Sequence, residues 1–203
     1  MATTSKQRKI LAILAGGLVL GIGTAVTLAA WNDSEFANGT FQAGAFNLEG
    51  ATDGAAYDEH PTAPGAALAF TLPLATNLSP ADIVYAPFWV RLDDTTTTGA
   101  EVTVTREAST GSNAANISYA VYAIGAAAPC DSSATSGTLL LSGADLTEST
   151  AGSTFTLAAP VSPDPGVAQK VCFIATAGPE TGPGALIEGG PATATWKFAA
   201  ESN

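Results

Sequence analysis

From Trp31 to the C-terminus the apolar residues recur at every second position rather than at every third or fourth. Leu68, Phe70, Leu72 and Leu74 alternate, as do Phe88, Val90 and Leu92, then Val102 and Val104, then Ile117, Tyr119 and Val121. The pattern returns in Phe155 and Leu157, in Val171, Phe173 and Ala175, and in Ala192, Ala194, Trp196 and Phe198. Residues two apart on a strand share a face, so each run offers one apolar face to a core, and these runs are predicted strands.

Turn-forming residues separate the runs: Asp53-Gly54, Thr98-Gly99, Thr110 to Asn113, Ser136-Gly137, Ser162 to Gly166 and Gly178 to Gly184. Short strands punctuated in this way, with no amphipathic helical pattern after residue 30, predict an all-β chain folded as a single β-sandwich of jelly-roll or Ig-like type. A length of 203 residues suits one domain.

The charges are segregated. Lys6, Arg8 and Lys9 lie in the first nine residues; beyond Ala30 only Arg91, Arg106, Lys170 and Lys197 face all 18 acidic residues, a net charge of −14. Such a field repels phosphate backbones and anionic lipid surfaces, which excludes nucleic acid as an expected partner. Its simplest role is colloidal solubility.

After the basic start, Ile10 to Ala30 run for 21 residues without a charge and lead into Trp31-Asn32-Asp33-Ser34-Glu35. A positive flank, an apolar stretch and small residues near its exit predict a signal peptide over 1–30, helical and removed on export, with a mature domain over 31–203. Uncut, 21 residues would just span a bilayer, so a retained membrane anchor is the rival reading, weakened by Gly16, Gly17, Gly21 and Gly23. Membrane contact is expected only before cleavage.

The stretch Thr24-Ala25-Val26-Thr27-Leu28-Ala29-Ala30-Trp31-Asn32-Asp33, continued by Gly39-Thr40-Phe41-Gln42-Ala43-Gly44-Ala45-Phe46-Asn47-Leu48, resembles bacterial proteins exported through the SipW-type signal peptidase. That group includes the TasA biofilm-fibre and camelysin proteins. A second echo is Asn77-Leu78-Ser79-Pro80-Ala81-Asp82, where the family has glycine at the place of Ala81. The resemblance implies cleavage between Ala30 and Trp31, the export signal peptidase as a processing partner, and a jelly roll as the favoured sandwich. It also implies assembly by strand donation, with residues 31–48 as the donor and Trp31, Phe36, Phe41, Phe46 and Leu48 as its anchors. The same segment has a second reading as the first strand of its own sandwich.

Cys130 and Cys172 are the only cysteines. Outside the cell such a pair reads as one disulfide closing a loop of about 40 residues, worth roughly 4 kcal/mol in the chain-entropy model. A metal site is the rival reading, poorly served by two isolated cysteines.

Camelysin-like proteins have been grouped with metallopeptidases, which makes His60, the sole histidine, the test of a catalytic reading. It lies in Tyr57-Asp58-Glu59-His60-Pro61, without the His-Glu-x-x-His spacing that puts two zinc ligands on one helix face. No nucleophile elbow, activated cysteine or phosphate loop is present, so no catalytic residue, cofactor or small-molecule substrate is expected. Asp93-Asp94 before four threonines reads as a polar turn, with a weak calcium loop as the alternative. Arg91, beside Trp89 on the outward face of its strand, is expected to be solvated or paired with a carboxylate.

The expectation is therefore a secreted or surface-associated, self-associating structural subunit of extracellular filaments or biofilm matrix, and not an enzyme. The alternative is a secreted carbohydrate- or protein-binding sandwich, with a hydrolase less favoured.

Overall fold

The computed structural model describes residues 5–26, 35, 37–40, 43–70 and 77–203. Two compact units partition the chain, one over 1–42 and one over 43–203. The first contains helix α1, Ser5–Val26. Among the described residues no helix is long and apolar enough to cross a membrane.

The second unit is a sandwich of two antiparallel sheets, as the alternation predicts. Its strands are β1 Leu48–Ala51, β2 Ile83–Leu92, β3 Ala100–Thr110, β4 Ile117–Ile124, β5 Thr138–Gly143, β6 Thr150–Ala151, β7 Phe155–Leu157, β8 Gln169–Ala177 and β9 Thr193–Ser202. One sheet has the order β1-β2-β8-β4-β5-β6 and the other β7-β3-β9. β2 pairs with β8 and β3 with β9. These pairings are staggered, whereas a jelly roll, being a folded long hairpin, nests them. The order β1-β2-β8-β4 against β3-β9 is the A-B-E-D and C-F pairing of an Ig-like sandwich, with β5 to β7 inserted between the fourth and fifth of those strands. Of the two expected types the Ig-like order is the one seen.

The inward residues match the two-residue period. Val84, Ala86, Phe88, Val90 and Leu92 of β2 are buried, as are Ala100, Val102 and Val104 of β3. They pack with Tyr119, Val121, Val171 and Phe173 of the large sheet, while Trp196 and Phe198 close the core from β9. Phe198 lies 5.4 Å from Phe88, and Trp196 lies 4.9 Å from Phe173, centroid to centroid, in tilted arrangements favoured by the ring quadrupoles.

Two elements depart from the sequence pattern. Leu68 and Phe70 pack partly buried against the core, yet residues 67–70 form no strand; Leu72 and Leu74 lie outside the described residues. Pro61, Pro64 and Pro73 flank that stretch and remove backbone donors on both sides of it, so side-chain burial there does not bring a ladder with it. Conversely, the unbroken Leu139-Leu140-Leu141 run forms β5, where a register shift opposite Val121 and Tyr122 lets Leu140 and Leu141 both be buried.

The two ends of the sandwich matter below. Leu92, Ala100, Gln169 and Ser202 mark one pole; Ile83, Thr110, Ala177 and Thr193 mark the other.

Candidate functional site

β9 is a ten-residue edge strand: among the described residues it pairs with β3 alone. Its other edge borders an open groove of about 810 Å³, lined by Phe70, Leu78, Phe88, Ala194, Trp196 and Phe198 among others. Phe46 and Leu48 line the same groove from the β1 side. A long edge with no second partner among the described residues, beside an apolar trough, has both parts that an added strand needs, main-chain partners and side-chain pockets. The signal for it was the Ala192-to-Phe198 alternation, which marked a half-buried strand but not its place at the edge.

The expected donor segment is divided by the structure. Trp31, Phe36 and Phe41 lie outside the described residues, as does the Ala30–Trp31 junction. Phe46 and Leu48, by contrast, are held by their own sandwich. Thr97 N–H donates to Ala45 C=O at 3.2 Å, Asp93 N–H donates to Asn47 C=O at 3.2 Å, and Asn47 N–H donates to the Thr96 hydroxyl at 2.8 Å. Leu48 then opens β1, facing Leu92. Of the expected 31–48 segment, residues 43–48 belong to the second compact unit and 31–42 to the first.

Asp93 anchors this junction. Its Oδ1 accepts the Thr96 N–H at 2.9 Å and the Thr96 hydroxyl at 2.7 Å, and its Oδ2 accepts the Thr95 hydroxyl at 2.8 Å and an Asn47 side-chain N–H at 3.2 Å. Burial pushes its carboxyl up, but the hydrogen bonds from Thr96, Thr95 and Asn47 outweigh that and hold it below the usual carboxylate range. The Asp-Asp-Thr run is accordingly a polar turn whose first carboxylate is already spent on its own loop.

On the outward face, Arg91 pairs with Glu49 at 2.9 Å and lies over the Tyr57 ring at 3.8 Å. Lys170 covers the neighbouring Trp89 at 5.0 Å, and Gly54, at φ +72°, brings the β1 turn against the indole. Chain atoms of this protein therefore occupy the surroundings of the Trp89 and Arg91 pair, which clamps residues 52–58 to the sheet.

Cys130 and Cys172 form the expected disulfide, with Cα atoms 5.3 Å apart. Cys172 is fully buried, and the bridge ties the 125–137 loop to β8, helped by a 2.6 Å hydrogen bond from Lys170 Nζ to Ala128 C=O.

His60 is exposed and lines the groove rim; Glu59 accepts from the Asn47 side chain at 2.7 Å and Asp58 bridges to Gly50 through its backbone. Among the described residues no group of three or more His, Cys, Asp or Glu side chains lies together in a metal-binding arrangement. No family model and no curated protein matches the chain.

Proposed function

We propose that the protein is an exported structural subunit, processed between Ala30 and Trp31, that assembles into extracellular filaments or matrix by inserting residues 31–42 of one copy into the groove beside β9 of the next. The observation that carries this reading is the ten-residue strand β9, which pairs on one side only among the described residues and borders an apolar groove on the other. The twelve residues from Trp31 to Gln42 would extend about 40 Å, enough to follow β9 along its length. Head-to-tail donation propagates instead of closing, so a single edge and a single arm suffice for a polymer. The disulfide suits an oxidising exterior, and the acidic surface keeps unassembled subunits apart. No catalytic role is assigned to any residue.

The test compares the chain starting at Trp31 with one starting at Ala43 by light scattering over a concentration series. Concentration-dependent growth from the longer chain alone supports the proposal. Equal behaviour of the two chains contradicts it and favours a monomeric binding module, for which retention on a polysaccharide column is the positive sign.

A further inference from the structure

The outer face of the large sheet is built differently at its two ends. Toward the Leu92 pole the Cys130–Cys172 bridge and the packing of Ala134 on Ile124 and Cys172 hold the 125–137 loop against it, while the 52–58 turn lies against Trp89 and Arg91. Toward the Ile83 pole the outward side chains are half-buried: Tyr85 on β2, Ile174 and Thr176 on β8, and Ser118, Ala120 and Tyr122 on β4. Register makes one platform of them. Tyr85 faces Ile174, which faces Ala120; Thr176 faces Ser118 in the row above, and Tyr122 faces Cys172 in the row below. Two strand spacings and one two-residue step put the Tyr85 and Tyr122 Cα atoms about 12 Å apart, with Ile174 on the strand between them.

Hydroxyl chemistry, charge and size together describe what this platform takes. Among the described residues the Tyr85 and Tyr122 hydroxyls meet no hydrogen-bond partner, whereas the buried Tyr119 donates its own to Glu148 C=O. Ser118 and Thr176 add two more hydroxyls beside the apolar surface of Ile174 and Ala120. None of these six positions is charged, although the outward face of the small sheet carries Glu101, Lys197 and Glu201 and the chain as a whole is strongly acidic. An uncharged patch ringed by carboxylates admits a neutral ligand and repels an anionic one. Three strands by three two-residue steps present roughly 300 Å², well below the ~800 Å² that each partner buries in a stable protein interface, so a second copy is not what the patch fits.

We infer that this face binds an uncharged glycan chain. A pyranose ring has a face of C–H bonds and a rim of hydroxyls, the same division of apolar and hydroxyl surface that the platform presents. Sugar rings stack on Tyr85 and Tyr122 and cross Ile174 between them, and their rim exchanges hydrogen bonds with the tyrosine, Ser118 and Thr176 hydroxyls. β8 is paired on both sides and tied to the 125–137 loop through Cys172, so the platform is rigid and binding orders little of the protein. None of the six residues lines the groove beside β9, so glycan binding and strand donation use separate surfaces and neither requires the other.

The experiment is native electrophoresis of the full mature chain through gels holding hydroxyethylcellulose, galactomannan or dextran, with alginate as the anionic comparison and mobility taken relative to a polysaccharide-free gel. The Tyr85→Ala/Tyr122→Ala variant removes the stacking rings; Thr176→Glu leaves them in place and sets a carboxylate on the platform, and it is expected to keep the parent melting temperature. The wild type is expected to be retarded by an uncharged polysaccharide and not by alginate, with the affinity of both variants lowered about tenfold or more. Chains starting at Trp31 and at Ala43 are expected to be retarded alike, which separates this site from strand donation. Free migration of the wild type in all three uncharged gels, equal retardation in alginate, or retardation unchanged in both variants overturns the inference. A concentration-dependent dimer lost in Thr176→Glu assigns the face to a second copy and overturns it as well.

Discussion

Arg91 and Glu49 face each other directly across the β1 and β2 pair, their side chains joined at 2.9 Å with the Tyr57 ring beneath the guanidinium. The contact fastens the 52–58 turn over the outer face of the large sheet. β1 is only four residues long, so its pairing depends on such side-chain support. Arg91→Ala is expected to cost about 1–2 kcal/mol, because it loses a charge-assisted pair and a cation–π contact that are both partly shielded from water. Hydrogen exchange should then rise in residues 49–58 more than in β4 or β8; a uniform rise across the sheet would contradict the local role.

The disulfide is expected to contribute about 4 kcal/mol, since it closes a 42-residue separation and its Cys172 end is fully buried. Replacing both cysteines with alanine should lower the urea midpoint and raise the slope, because the unfolded chain is freed to expand. An unchanged midpoint would mean that packing of the 125–137 loop holds without the bridge.

Ala81 adopts φ +67° in the turn before β2, a left-handed conformation that strains any residue with a Cβ. The turn survives the absence of glycine because its neighbours hold it: Ala81 N–H donates to Gly178 C=O at 3.0 Å and Asp82 accepts the Ser79 N–H at 2.8 Å. Ala81→Gly is expected to stabilise by about 0.5–1 kcal/mol, the strain released being larger than the entropy glycine costs. Ala81→Val should destabilise. A melting temperature lowered by Ala81→Gly would show that the left-handed turn is not the native one.

Asp93 gives a pH dependence with a definite sign. Its carboxyl lies below the ordinary value when folded, so its contribution is complete above the usual aspartate range near pH 4 and is lost as the pH falls through the folded value. Asp93→Asn should cost about 1–2 kcal/mol at neutral pH and progressively less in acid. Denaturation at pH 7 and below pH 3 checks it: a cost that stays constant would mean the carboxylate's charge is not what holds the turn.

The sandwich was legible from β2, β3 and β4, where alternation and burial agree over most of each strand, and from β8 and β9, whose alternating residues face the core although Cys172 is buried as well. It was not legible in β5, where a bulge turns consecutive leucines inward, nor at Leu68 and Phe70, which alternate into the core without a ladder. Both failures have one cause: period reports which side chains are buried, not which backbone groups are paired. The disulfide was legible because only one pairing exists. The groove was not, because an edge strand and a central strand with one buried face carry the same alternation, and only strand order distinguishes β9 from β8. How the 31–48 segment divides between the two compact units was not legible for a related reason. Phe46 and Leu48 continue the apolar pattern of the segment before them, and only the hydrogen bonds from Thr96, Thr97 and Asp93 assign them to the body.

The most direct test of strand donation is to mix isotopically heavy and light copies of the mature chain, each carrying benzoylphenylalanine at position 36, and to identify which copy's β9 and groove residues are captured on illumination. The account predicts heavy–light products joining the 31–42 arm of one copy to β9 of another, at assembled concentrations and not below them. Products confined to single copies at every concentration would place the arm in its own sandwich and contradict the account.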